Sequence, residues 1–196
     1  MPITSLPSAD KMYRALTERD STSGSPAVLS RFPTPVGDLL AGATEEGLCL
    51  LEFADRQVIE TQARTTRWFG QPAVDGTNGH IEQLRQELDS YFAGTLKTFT
   101  VALVLPGTEF QVAAWNQLRQ IPYGETISYE QQARAMGRPK AQRAVGSANG
   151  ANRIAIVIPC HRVVRQNGDL GGYGGGLWRK RFLLDLEKEH REAGPF

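Results

Sequence analysis

Apolar positions change their rhythm along this chain. From Pro26 onward, AVLSRF, VGDLLAGA and LCLLEF are short apolar runs with partial alternation, the last two separated by the turn-like Thr44-Glu45-Glu46-Gly47. That pattern predicts the strands of an antiparallel meander. A weak helical pattern covers 57–69. A clearer one lies in HIEQLRQELDSYFAG, where Ile81, Leu84, Leu88, Tyr91 and Phe92 recur at helical spacing and Gly94 marks the stop. Residues 98–104, TFTVALV, read as one more strand, which Leu105-Pro106-Gly107 breaks. Beyond it the chain is a succession of short helices divided by Gly and Pro. Thr108 is suited to cap a helix reaching about Arg119, with Phe110, Ala114, Trp115 and Leu118 on one face. Ser128 caps a second helix to Met136, and Gly137-Arg138-Pro139 turns into a third over 140–149. Two short helices joined by a tight turn form a helix-turn-helix pattern. The expected fold is therefore α/β in the α+β sense. A tail (1–26) precedes an N-terminal antiparallel sheet with helices (27–105) and a C-terminal helical domain (106–192).

The chain has 196 residues, 40% of them hydrophobic, enough for a substantial core. No stretch approaches the roughly 18 apolar residues of a membrane span, and the first twenty residues carry charges where a signal peptide would be apolar. The expected address is the cytoplasm, at the nucleoid if the source is a prokaryote, and the expected state is a monomer. The net charge of +1 conceals an asymmetry. Residues 1–96 hold 8 Lys and Arg against 13 Asp and Glu, whereas 97–196 hold 14 against 8. Within 131–181, ten positive residues (Arg134, Arg138, Lys140, Arg143, Arg153, Arg162, Arg165, Arg179, Lys180 and Arg181) face only Asp169. Such a segment is a candidate footprint for a polyanion, or a solvated face balanced from elsewhere in the fold.

The two cysteines are far apart and form no C-x-x-C pattern. Cys49 sits between leucines on an expected strand and reads as structural. Cys160 follows Ile154-Ala155-Ile156-Val157-Ile158-Pro159 and precedes His161 and Arg162. A buried strand ending at proline would hold the thiol beside an imidazole and a guanidinium, a setting that lowers a thiol pKa and makes a nucleophile. Neighbours on an extended chain point opposite ways, so His161 would act on Cys160 through a water. Its orienting carboxylate would come from the amphipathic C-terminal helix: Glu187, with Asp185 and Glu189 as rivals. The third helix is short of base-reading side chains. Besides Lys140, Gln142 and Arg143 it offers Ala144, Gly146 and Ser147, which suits close approach to a minor groove or, alternatively, tight helix packing.

These residues carry a family resemblance. The run from Gly107 to Glu187, with GTEFQVAAWNQLRQIPYGETISYEQQA, GRPKAQRAVGSANGAN, IPCHRVV and GYGGGLWRKRFLL in order, closely resembles the O6-alkylguanine-DNA alkyltransferases, or methylated-DNA–protein-cysteine methyltransferases. The resemblance implies a ribonuclease H-like first domain and a winged helix-turn-helix-like second one. It implies direct repair of double-stranded DNA containing O6-alkylguanine, with one irreversible transfer to Cys160. His161 would be the base, Glu187 its orienter, and Asn152 would tie the active-site loop to the helix-turn-helix. Tyr129 would rotate the phosphate and sit near N3 of the flipped guanine. Arg143 would fill the gap in the stack, and Val163, Tyr173 and Gly174 would line the base pocket. The chemistry agrees: displacement at a saturated carbon needs a soft thiolate and no oxyanion hole, and extruding the base costs a few kcal/mol. Cys49 and His80 are too few for the zinc site of some members, so neither metal nor cofactor is expected. Arg153 and Ala155 stand where some members have prolines, and Gly174 where some have serine, which bears on pocket width. The alternatives are a lesion sensor of the alkyltransferase-like type, which the presence of Cys160 disfavours, a Cys-His hydrolase that turns over, and a transcription factor.

Overall fold

The computed structural model describes residues 25–55 and 58–191, so most of the tail lies outside the described residues. Strands β1 (Val28–Phe32), β2 (Leu39–Ala43) and β3 (Leu48–Phe53) form the expected antiparallel meander, and a two-residue β4 (Val74–Asp75) joins β1 in parallel. Both faces of this sheet are covered. Helix α2 (Gly79–Phe92) contributes Ile81, Leu84, Leu88 and Tyr91 to the main core, and α1 (Val58–Phe69) lays Trp68 and Phe69 against Leu29, Leu40, Cys49 and Leu50. Burial on two sides explains why β2 and β3 read as near-continuous apolar runs with only partial alternation.

The second part begins at α3 (Glu109–Leu118). Thr108 caps it with a reciprocal Gln111 contact, and Ser128 with Gln131 does the same for α4 (Tyr129–Ala135). Helix α5 (Gln142–Gly150) completes the helix-turn-helix, and Lys140 lies in the turn ahead of it. The three helices are latched by buried polar groups. The Trp115 indole donates to the Ala148 carbonyl at 2.8 Å, while Gln132 and Asn149 exchange amide hydrogen bonds at 2.7 and 3.2 Å. The small residues of α5 therefore serve both readings: Val145, Ala148 and Asn149 pack inward, while Gln142, Arg143, Ala144 and Ser147 face solvent. A parallel pair of two-residue strands, β5 (Ile127–Ser128) and β6 (Val163–Val164), and the long α6 (Leu177–Glu189) complete the described chain.

Two expected strands are absent. Residues 98–104 make only an isolated bridge, Leu103 with Leu48, because the Thr100 amide and hydroxyl are both taken by the Glu87 carboxylate and leave the ladder. The run 154–158 makes one bridge, Ile154 with Leu51, and then turns with Ile156 at φ +70°. Its isoleucines are apolar because the loop is core: Ile154, Ile156 and Ile158 are all buried against both parts of the molecule.

Candidate active site

Cys160 opens a single 3-10 turn, Cys160–Arg162, instead of ending a strand. Its sulfur accepts a 3.2 Å hydrogen bond from Asn152 Nδ2. That amide also donates to the Ile158 carbonyl at 2.9 Å, and Asn152 Oδ1 accepts the Ile154 N–H at 3.0 Å. Asn152 follows α5 directly and so fastens the cysteine loop to the helix-turn-helix. The loop is also pinned to the N-terminal sheet. Leu51 N donates to the Arg153 carbonyl at 2.7 Å, Ala155 N donates to Leu51 at 2.8 Å, and Arg153 pairs with buried Glu52.

Beneath the thiol lies a buried ionic knot. His161 Nε2 lies 2.8 Å from Glu187 Oε1, and both side chains are fully buried. Glu187 also accepts from Arg162 Nε and Nη2 at 2.8 and 3.0 Å, from the Tyr91 hydroxyl at 2.8 Å and from Gly124 N at 3.0 Å. Asp185 and Glu189, its rivals by sequence, are exposed. Burial raises the Glu187 carboxyl, but the His161 and Arg162 hydrogen bonds and charges outweigh it and hold the group far below its ordinary value of 4.5. Burial holds the His161 imidazole below its ordinary 6.5 against the pull of Glu187. A neutral ring that donates from Nε2 to a carboxylate leaves Nδ1 as an acceptor, and Nδ1 has no hydrogen-bond partner among the described residues.

The thiol differs from expectation. Burial pushes the Cys160 pKa above its ordinary 9.0, opposed by the Asn152 hydrogen bond and the Lys180 charge. Arg162, which sequence adjacency had placed beside the sulfur, is turned down to Glu187 and to the Ile121 carbonyl. Burial thus holds the resting sulfur toward its thiol form. Lys180 is the cation that lies near it. It is fully buried, donates to the carbonyls of Val163, Leu170 and Gly172, and is pushed by burial down to about 8. Lys180, Tyr91 and Gly124 were missed as site residues, and Arg162 was expected at the thiol instead of at Glu187. A helical or loop charge gives no local sign that it will be buried, and Tyr91 sits 96 residues from its partner.

The remaining expected residues fall around this centre. A cavity of about 30 Å3 beside Cys160 is walled by residues 51–53 of β3, the end of α5, Asn152, and Tyr173, Gly174 and Gly175. The Tyr173 hydroxyl is buried with no partner among the described residues. Val163 is fully buried in β6 and does not line this cavity. Tyr129 opens α4 with its ring between Gly146 and Gly171: a Cβ on Gly171 would lie 3.1 Å from its hydroxyl. Burial, then the neighbouring Cys160, raises its phenol. Arg143 stands exposed on α5. Among the described residues, no group of three or more His, Cys, Asp and Glu could hold a metal ion.

Comparison with known proteins places this geometry. The family model for the 6-O-methylguanine DNA methyltransferase DNA-binding domain matches residues 109–189, and that for the ribonuclease-like domain of the same protein matches 28–105. The chain belongs to the 6-O-methylguanine DNA methyltransferase family. It is 47% identical over 157 residues to a methylated-DNA–protein-cysteine methyltransferase of Methanosarcina acetivorans, covering 80% of this chain and 95% of the relative. The protein of the same name from Mycobacterium tuberculosis is 51% identical over 160 residues, covering 82% and 92%. The crystal structure of Mycobacterium tuberculosis OGT in complex with DNA has a TM-score of 0.73 to this chain at 40% identity, covering 85% of this chain and 96% of that one. Within the family fold, Cys160 lines the cavity, and His161, next to it in the chain, is paired with Glu187 in the buried interior.

Proposed function

We propose that this protein repairs DNA by moving the alkyl group of O6-alkylguanine onto its own Cys160, once per molecule. The observation that carries the reading is the junction of a half-buried thiol, a neutral buried imidazole fixed by an ionised carboxylate, and a helix-turn-helix whose outer face is small residues around one arginine. Duplex DNA lies against α5, with Lys140, Gln142, Ala144, Gly146 and Ser147 at the groove wall and backbone. Arg143 enters the stack where the guanine has left it. Tyr129, against Gly146 and Gly171, stands where helix and pocket loop meet and turns the nucleotide inward. Tyr173 and Gly174 shape the receiving pocket, and Val163, buried in β6, takes no part in its lining. His161 Nδ1 takes the thiol proton through a water, and the resulting imidazolium is stabilised by Glu187. The thiolate attacks the alkyl carbon, an S–C bond forms, the C–O6 bond breaks, and its electron pair leaves on guanine, which is reprotonated. A thioether has no easy hydrolysis, so the site is spent. The reading places the scaffold in 27–105 and the transfer chemistry in 106–192, in a monomer of the cytoplasm, at the nucleoid in a prokaryote. No helix among the described residues is long and apolar enough to cross a membrane.

The test is a titration with a duplex carrying labelled O6-methylguanine. Protein-bound label rises to one per chain and stops, and Cys160→Ala takes up none. Turnover beyond one product per chain supports the hydrolase instead, and tight lesion binding with no label supports the sensor.

A further inference from the structure

We propose that Phe53, contributed by the N-terminal sheet, sets the size of alkyl group the site accepts. The inference rests on the alkyl-transfer reading and assigns the far wall of that pocket. Phe53 ends β3, only 4% exposed, and lines the cavity beside Cys160. Its position relative to the thiol is fixed, because Leu51 two residues earlier exchanges both backbone hydrogen bonds with the cysteine loop at Arg153 and Ala155. Its ring is held on two sides. The Arg179 guanidinium lies 4.3 Å from its centroid and is itself tied to the Val36 and Gly175 carbonyls and to Asp55. Tyr173 meets it edge-on at 6.1 Å and 67°. Gly175 touches the ring so closely that a Cβ there would lie 2.2 Å from Phe53 Cε2.

The cavity has a soft side and a hard side. On the solvent side the walls are exposed glycines, Gly150 and Gly174, on loop and helix end, which can part to admit a base. On the opposite side stands the buried end of β3, which cannot retreat without breaking the sheet. The reacting carbon must sit at the sulfur, with O6 and the purine on the solvent side. In-line displacement sets the carbon's remaining substituents out sideways from the S–C–O6 axis, and the side closed by Phe53 is the one that cannot widen. The whole cavity, about 30 Å3, is far smaller than the base it must receive, so the glycine side opens on binding while the Phe53 wall stays, and a bulky alkyl group meets the wall that does not move. Transfer itself is unchanged by the wall: the S–C bond forms and the C–O6 bond breaks for either group, with the electron pair leaving on guanine. Only the fit differs.

The experiment measures transfer rates from O6-methylguanine and O6-benzylguanine, each in a duplex and as the free base, to the full chain and to Phe53→Leu and Phe53→Ala. The readout is the benzyl-to-methyl rate ratio, which a general loss of packing would not raise. The expected ratio increases in the order Phe, Leu, Ala, by about tenfold or more at Ala, the scale on which apolar pockets discriminate small size differences. Phe53→Leu keeps most of the packing and reports even where the alanine variant folds poorly, with thermal melting as the control. A ratio unchanged in both variants overturns the assignment while methyl transfer proceeds. A wild-type chain that takes no methyl group overturns the underlying activity, and the two failures are distinct.

Discussion

Glu187 carries five hydrogen bonds from four residues, and two of those residues, His161 and Arg162, compete for its charge. Glu187→Gln leaves Arg162 buried without its counter-charge, so unfolding should cost about 3–5 kcal/mol less, and transfer should slow about 10²-fold or more as the base loses its orienter. The pH dependence has a definite sign. A carboxyl depressed below 4.5 in the fold gives stability that is complete above that value and is lost as pH falls below it. The melting temperatures of wild type and Glu187→Gln should therefore converge on acidification. A constant gap down to low pH would contradict the account. At the sulfur, Asn152→Ala removes the hydrogen bond that favours the thiolate. The midpoint of Cys160 alkylation by iodoacetamide against pH should move up, and an unmoved midpoint would detach Asn152 from the chemistry. Cys160 and His161 were legible as adjacent reactive types, Glu187 only as one of three carboxylates until the resemblance singled it out, and Asn152 through the resemblance alone. Arg162 was legible only as a charge: its sequence neighbours suggested the thiol, whereas a 3-10 turn sends its side chain the other way.

Among the elements, those whose ends are written in side chains were readable. Thr108 with Gln111 and Ser128 with Gln131 announce two helix starts, and Ala93 with Gly94 at φ +74° closes α2 as the glycine signal implied. The run Ile154–Ile158 was not readable, because an apolar run records burial without recording whether the buried backbone is a strand or a loop. Its real shape matters to function, since the turn at Ile156 is what lets the cysteine loop pair with β3 and still return to α5. Helix α5 carries its own prediction. Its exposed face holds Arg143 among small residues, so Arg143→Ala should slow transfer from duplex DNA by about tenfold or more while slowing transfer from free O6-methylguanine less. Equal losses would remove the arginine from the base-extrusion step.

For the molecule as a whole, the ten-to-one basic segment resolves into two populations. Arg162, Arg179 and Lys180 are buried in the fold, and Arg153 is paired with Glu52. Arg134, Arg138, Lys140, Arg143, Arg165 and Arg181 remain exposed. Composition could count these charges but could not separate them, because each buried one is satisfied by a partner remote in sequence. DNA affinity should accordingly fall with salt along a log–log slope no steeper than about −5, the value for about six phosphate contacts. A slope near −9 would put the buried cations on the DNA. The halves meet where Tyr91 reaches Glu187 and β3 walls the cavity, so the acidic half supports the chemistry of the basic one. The measurement that bears most directly on the central claim is the mass of the protein after incubation with excess duplex carrying O6-methylguanine. The account predicts that each chain gains the mass of a single CH2, located in the peptide containing Cys160 and absent from the one containing Cys49. An unchanged mass with the duplex repaired, or a methyl group on any other residue, would contradict it.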